Sequence, residues 1–474
     1  MAIRFATIAV ILAIVGSDVF ADAKPGGNAR QIAMGGSNIF QPGVILNPFI
    51  MTDPAMLLVN PAYQSLYKDY AWMNLAGGLL AGPSTVSNVY GHQNAGVSFA
   101  LSKEFTLGAI LSYDPSAVNG LGSLIAGTTG FGVPSIVRRD PIVGPQAIPA
   151  VANVWEVLAS WHGSGVDVGF GVMYGDSKAD SKSSTTTPTA ASSESEASAS
   201  VIGFRGGVNF DLGSGSSFEA SGAVRLSSAT DNITTTPAPP GPTDGEYSAD
   251  ATEIHFMARA KLKASNKWNV VPYGLVTIAT AEPKEDRVPT TVTAPNPISS
   301  VDVNALAFAV GIGGEYRVSD LYLAGGLSFQ YARAKFEVTQ VAPLTAGTIT
   351  TEARTTGIPV FNVGGEWWFT DWLAGRMGYF RNLARVKTET ESPTGTTETT
   401  TTVPFSVIGI GELGAVADQE LLTLGLGFSL GNFSLDATIS EEALRRGLGL
   451  IGSAGGPGSE LNTFGYMNAS YNFE

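Results

Sequence analysis

Residues 253–263 read EIHFMARAKLK. Ile254, Phe256, Ala258, Ala260 and Leu262 fall on one face, and Glu253, His255, Met257, Arg259, Lys261 and Lys263 on the other. Side chains of a strand point alternately to its two faces, so this period of two specifies a strand with one apolar and one polar side. The pattern recurs. Ile202, Phe204, Val208 and Phe210 oppose Arg205 and Asn209, and Phe218, Ala220, Val224 and Leu226 oppose Glu219, Ser221 and Arg225. Leu422, Leu424, Leu426 and Phe428 oppose Thr423 and two glycines. A β-sandwich and a membrane barrel both alternate in this way, and the connections separate them. Short links at 103–104, 163–166, 211–216, 265–266, 317–320, 370–371 and 431–432 alternate with long ones at 114–150, 176–198, 228–249, 281–299, 340–355, 388–418 and 441–461. Short periplasmic turns and long outer loops are the rhythm of transmembrane barrels. A Greek-key sandwich has no reason to keep it. The reading is an all-β, antiparallel transmembrane barrel of 14–16 strands, 16 by count, over residues 68–474.

The N-terminus and the composition agree. Arg4 followed by the apolar run 5–15 and small-residue cleavage sites near Ala21 and Ala23 describes a signal peptide over 1–21. Its apolar core is too short for a spanning helix, and no other run is long enough. Cleavage after Ala21 removes Arg4 and Asp18 together, leaving the net charge at -14. Charged residues make up only 14% of the chain, against about 25% in ordinary soluble domains. The acidic balance argues against nucleic acid. The absence of cysteine excludes thiol chemistry and disulfides. Trp161, Trp268, Trp367, Trp368, Phe369 and Trp372 cluster beside short links, where an interfacial girdle belongs. As buried aromatics they would instead belong to an ordinary core.

With the apolar face in lipid, the charged residues of the other face line the lumen: Glu156, His162, Arg205, Glu219, Arg225, Glu253, His255, Arg259, Lys261, Glu366 and Arg376. Both signs occur, so this is no single-sign filter, and pairing is expected. A turn over 370–372 sets Phe369 opposite Leu373 and therefore Glu366 opposite Arg376, an expected cross-strand ion pair. In 301–316 the face opposite Leu306, Phe308, Val310 and Ile312 is Ala305, Ala307, Ala309, Gly311 and Gly313. Small residues there leave room for something inside the barrel. Glycine pairs at 77–78, 206–207, 325–326 and 364–365 mark either wall curvature or close approach of another backbone. Pro272 removes a ladder donor and marks a candidate break in the wall.

Catalytic constellations are missing. His92, His162 and His255 show no metal spacing. The two G-x-G-x-x-G matches, at 409–414 and 447–452, do not sit in a βαβ unit. No cofactor, metal or enzymatic activity is expected. Residues 440–450 suit a small helix capped by Ser440.

The segment between the signal peptide and the first strand carries Ala33-Met34-Gly35-Gly36, Asp53-Pro54-Ala55 and Asn60-Pro61-Ala62. These pieces resemble the N-terminal hatch of the FadL-type outer-membrane transporter family, although Tyr63 stands where that family usually has Gly. The resemblance implies that residues 22–67 plug the lumen. It also implies that hydrophobic molecules such as long-chain fatty acids pass from an outer-loop groove into the barrel and leave sideways through a wall kink. Within the hatch, Gly35 and Gly36 suit close approach to a wall, with Ala305, Ala307, Ala309 and Gly311 as a resting surface. Asn60-Pro61 suits a turn leading out of the plug. Arg30 and Asp53 would find partners such as Glu253 or Arg259. A flexible periplasmic tail is the alternative. Phe473, next to the last residue, resembles the C-terminal aromatic signal read by the barrel-assembly machinery.

The leading functional reading is passive transport of hydrophobic small molecules across the bacterial outer membrane, with outer-membrane lipid as the surrounding solvent. A barrel serving as platform for a protein partner in secretion, a general porin and an outer-membrane enzyme are the other classes. The apolar stretches 121–137 and 448–456 favour transport, since exposed apolar patches mark binding; packing of loops on one another is the plainer account. Replacing Leu124, Ile125, Phe131 and Ile136 together with Ser is expected to slow uptake of an apolar ligand without impairing membrane insertion. Unchanged uptake kinetics would leave only the loop-packing account.

Overall fold

The computed structural model describes residues 26–41, 44–76, 94–112, 154–185, 191–236, 245–287, 298–340, 347–404, 420–439 and 464–473. The signal peptide, His92, the glycine pair 77–78, the stretches 121–137 (with Leu124, Ile125, Phe131 and Ile136) and 448–456, and the helix expected at 440–450 lie outside these residues.

A short hairpin, β1 (Ser37–Gln41) and β2 (Val44–Leu46), precedes the wall strands. These are β3 (Tyr70–Ala76), β4 (Asn94–Ala100), β5 (Phe105–Ser112), β6 (Val154–Gly163), β7 (Val166–Thr185), β8 (Ala191–Gly213), β9 (Ser216–Thr236), β10 (Gly245–Lys263), β11 (Trp268–Arg287), β12 (Ile298–Val318), β13 (Leu321–Gln340), β14 (Gly347–Thr370), β15 (Leu373–Ser392), β16 (Gly395–Pro404), β17 (Glu420–Leu430), β18 (Phe433–Ile439) and β19 (Phe464–Asn472). The ladders are antiparallel throughout, and β19 closes the barrel on β3 through pairs from Tyr466↔Ala76 to Asn472↔Tyr70. Strand β15 divides its far edge between two partners. Leu383–Ser392 pair with β16, and Leu373–Arg381 pair with β17. These two therefore share one position in the wall, and the seventeen wall strands fill sixteen positions.

Several stretches expected as long loops are strand. β7 and β8 continue in register to Thr185↔Ala191, and β14 and β15 pair as far as Thr350↔Glu391. Serine- and threonine-rich sequence looks like a loop by composition. Threonine is nevertheless β-branched and pairs well in a sheet whose two faces are both polar. The strands β7 to β15 thus run 19–24 residues, against 7–10 in β3 to β6. The turn after β14 also differs from expectation. Thr370, not Phe369, pairs with Leu373, and an irregularity between Trp368 and Thr370 absorbs the extra residue, so that Glu366 still faces Arg376.

The exterior is apolar over a limited height. Val168, Phe170 and Tyr174 on β7, Ile202, Phe204 and Phe210 on β8, and Leu306, Val310 and Ile312 on β12 are exposed. Beyond them the outward positions turn polar, as at Asp176 and Lys178. About eight residues at roughly 3.3 Å each make a band near the ~25 Å of an outer-membrane barrel. Trp161, Trp268, Trp367, Phe369, Trp372 and Phe473 are exposed beside the short turns. Trp155 and Tyr174, with ring centroids 5.9 Å apart, stand toward the opposite rim. Trp368 departs from the expected girdle, since its indole Nε1 turns toward Glu366 Oε1 at 3.4 Å.

A closed barrel leaves no backbone edge unsatisfied in lipid. The protein is expected to migrate faster on gels when unboiled than when boiled, and to give strand-dominated circular dichroism in detergent. A helical spectrum, or solubility without detergent, would contradict the fold.

Candidate functional site in the barrel lumen

Residues 26–67 form a chain of small, capped elements. A one-and-a-half-turn helix (Asn28–Ala33) is followed by the β1–β2 hairpin and two 3-10 turns, Pro54–Leu58 and Pro61–Ser65. The two 3-10 turns are built alike. Asp53 Oδ1 accepts from Ala55 N at 2.8 Å and Asn60 Oδ1 from Ala62 N at 3.0 Å, each with proline in the first turn. An acceptor cap before proline presets the start of such a turn. The Asp-Pro-Ala and Asn-Pro-Ala motifs are therefore one device used twice. Asn60-Pro61 does not simply lead out of the segment. It caps this turn while Asn60 Nδ2 donates to Asn209 Oδ1 on β8 at 2.8 Å.

The segment is buried against inward residues around the ring. Asn28 N donates to Asn74 on β3 (3.1 Å), Asn362 Nδ2 on β14 donates to Gly35 O (2.7 Å), and Thr423 on β17 donates to Ile32 O (2.8 Å). Arg259 on β10 pairs with Glu219 and donates to the carbonyls of Pro48 (3.1 Å) and Ile50 (3.0 Å). Glu315 on β12 accepts from Met51 N at 3.0 Å and from the Tyr322 hydroxyl at 2.7 Å. Phe49, Met34, Leu46, Met56 and Leu57 are fully buried with Tyr70, Val271 and Val360 of the wall.

Close approach requires glycine. Gly35 has φ +74, and a Cβ there would overlap the carbonyl of Val363 and crowd that of Tyr379. From the wall side, a Cβ at Gly364 or Gly378 would strike the backbone of Met34 and Gly35. In the pairs 206–207, 325–326 and 364–365 it is Gly207, Gly326 and Gly364 that face this segment, so close approach, not curvature alone, accounts for them. The segment rests on these glycines and on Gly313. Of the expected resting surface, Ala309 joins the same apolar cluster.

One buried ionic chain ties the segment to the wall. Arg30 donates from Nη1 to Asp53 Oδ2 (2.8 Å) and from Nε to Glu366 Oε2 (2.8 Å). Arg376 donates from Nε to the same Glu366 oxygen (2.6 Å) and from Nη1 to Asp436 Oδ1 (2.5 Å). Gly27 N donates to Asp53 and Gly26 N to Asp436. All five side chains are at most 5% exposed. The expected Glu366–Arg376 pair is present, whereas the partners suggested for Arg30 and Asp53 are not the ones they use. Glu253 bonds Arg225 (3.0 Å), Arg259 binds segment carbonyls, and Arg205 bonds Glu156. Asp436 and Glu315 were missed in the sequence. Asp436 had a usable signal, lying between Ser434 and Thr438 on a face where every second residue is polar.

The remaining candidates divide. His255 is buried, with Nδ1 2.9 Å from Thr277 Oγ1. His162 shares the inward face of β6 with Glu156 and Ser160. It stands half-exposed beside the Gly163–Val166 turn, 2.5 Å from Asp167 Oδ1, because the wall ends there. Pro272 interrupts the ladder only lightly: Ala260 and Lys261 are not paired with β11, but the register is unchanged and β11–β12 pairing runs through Pro272. Among the described residues no cluster of His, Asp or Glu is arranged to hold a metal ion. A vestibule of about 700 Å³ opens beside the short turns, lined by Arg30, Glu366, Glu315, Tyr322, Lys261 and Arg317 among others.

On the opposite side of the segment the lumen changes character. Ala279, Ala305, Ala334 and Ala353 pair in one row across β11–β14, with Ala281, Ala307 and Ala332 beside them, all buried.

Removing one partner of a buried pair strands the other, at a cost of about 3–5 kcal/mol. Glu366→Ala is expected to loosen residues 26–67, seen as new protease cleavage within them while the gel shift of the folded barrel persists. Unchanged protection would mean that packing alone holds the segment.

No family model and no curated protein matches the chain. Among solved structures it is similar to the Pseudomonas putida toluene transporter TodX, at 12% identity over 96% of this chain and 100% of that chain (TM-score 0.35). It is also similar to a Pseudomonas aeruginosa FadL homologue, at 11% identity over 96% and 100% (TM-score 0.36). The alcaligin outer-membrane receptor FauA from Bordetella pertussis matches at 10% identity over 79% and 68% (TM-score 0.31). At these scores the likenesses carry no inference about function, which rests on the chain's own geometry.

Proposed function

We propose that the protein is a passive conduit for hydrophobic small molecules across the bacterial outer membrane, with residues 26–67 as a plug. The observation that carries this reading is the division of the lumen. The level bounded by Glu366 and Arg259 is filled by protein and closed with buried ion pairs. The β11–β14 side beyond it is lined with alanine where a water-filled pore would carry polar side chains. An alanine surface offers a small apolar molecule contact without hydrogen bonds to satisfy. Long-chain fatty acids are one candidate cargo. The exposed aromatic at Phe473 supports insertion through the barrel-assembly machinery. A general porin is disfavoured, since sixteen strands enclose a water channel only if the lumen stays open.

Deletion of residues 28–63 from the inserted barrel is expected to produce a large, steady conductance in planar bilayers, while the intact protein shows little. Equal conductance for the two would remove the plug and, with it, the main support for this reading.

A further inference from the structure

The wall is least regular where β13, β14 and β15 meet. Register shifts occur between Ser328 and Gln330 on β13 and between Gly357 and Val360 on β14. At the same level β15 changes partner, from β17 at Arg381↔Glu420 to β16 at Leu383↔Pro404. Three polar side chains face inward there: Gln330, Thr355 and Asn382, each no more than 2% exposed. Gly357 makes the space for them, since a Cβ at 357 would lie 2.6 Å from Asn382 Oδ1. Asn382 Nδ2 donates to Gln330 Oε1 at a long 3.5 Å. Gln330 Nε2, Asn382 Oδ1 and Thr355 Oγ1 have no hydrogen-bond partner among the described residues. A buried donor, acceptor and hydroxyl left unpaired together are costly, and such groups call for a partner.

The inward neighbours Ser328, Ala332, Ala353, Val360 and Phe380 carry no charge. An anionic head would be desolvated here without a cation to meet it. A neutral head that both donates and accepts fits the free amide hydrogen, the free carbonyl oxygen and the hydroxyl. We propose that Gln330, Thr355 and Asn382 form a binding site for the uncharged, hydrogen-bonding head of an otherwise apolar molecule, such as an alcohol or an amide. The chain of that molecule lies along the alanine row. This inference rests on the transport reading and narrows it to neutral amphiphiles over carboxylate anions.

The test uses the full chain in amphipol, with equilibrium dialysis of radiolabelled 1-octanol, octane and, at pH 8, octanoate. Wild type is expected to bind octanol more tightly than octane or octanoate. Gln330→Leu and Thr355→Val are each expected to weaken octanol binding about 3- to 10-fold, the range of one hydrogen bond, and to leave octane binding unchanged. The gel shift on boiling verifies that each variant is folded. Thr355→Val preserves side-chain shape and serves alone if the Leu variant does not fold. Octane binding with no selective loss of octanol in the variants, or octanoate binding as tightly as octanol, would overturn the site and leave the transport reading standing. No binding of any probe to wild type would overturn both.

Discussion

The ionic chain Asp53–Arg30–Glu366–Arg376–Asp436 is the constraint on which the arrangement depends. Five charges at most 5% exposed are tolerable only when each is met by its neighbours. Three carboxylates face two guanidiniums, and the excess negative charge is shared with backbone N–H groups of Gly26, Gly27 and Ala55. The chain joins the N-terminal segment to β14, β15 and β18, parts of the sequence hundreds of residues apart. It also depends on register. Without the irregularity that takes up Phe369, Glu366 would not face Arg376 once Thr370 pairs with Leu373. A slip of one residue between β14 and β15 would put Glu366 and Arg376 on opposite faces of the wall, one of them toward lipid.

Packing follows the same levels. Read outward from its short turn, the inward face of β12 is Glu315, Gly313, Gly311, Ala309, Ala307, Ala305 and Val303. Glu315 holds Met51 and Gly313 admits Phe49, both from the N-terminal segment, and the alanines follow. On β14 the sequence is Glu366, Gly364, Asn362, Val360, Thr355 and Ala353. On these two strands side-chain volume is smallest where another backbone lies against the wall, and the inward charges Glu315 and Glu366 are met by residues of the segment.

Much of this was legible in the sequence. Period-two alternation in 253–263 and the rhythm of turns gave strands and closure, and the spacing of Glu366 and Arg376 about a turn gave their pairing. The Ala33–Gly36, Asp53–Ala55 and Asn60–Ala62 motifs marked a folded segment. What stayed hidden was long-range choice. Arg30 had several acidic residues of equal merit, and only the three-dimensional register selects Glu366. The Ser- and Thr-rich extensions of β7 to β15 read as loops because composition reports solvent exposure, and a sheet wet on both faces has the composition of a loop. The irregularity at 357–360 also left little trace. Ile358-Pro359 breaks the alternation, but so does Pro272, and the latter disturbs the wall far less.

Under the proposed transport, these levels also order a path. With the lumen axis filled at Glu366, Gly364 and Asn362, a molecule lying on the alanine row of β11–β14 meets protein toward the short turns. The irregular stretch 357–360 comes between Asn362 and Thr355 on the same strand, only about two residues, or roughly 7 Å, beyond the seat of the segment. On its outer surface Ile358 is 60% exposed and Leu383 is exposed beside it, both within the apolar band. A regular ladder there would present a continuous row of backbone hydrogen bonds to be broken. The register shifts in β13 and β14 and the change of partner at Asn382 interrupt that row at this level. Under the proposed transport, an exit through the side of the barrel would deliver an apolar solute to hydrocarbon and not to water, and the ladder is irregular at the level where such a route would begin.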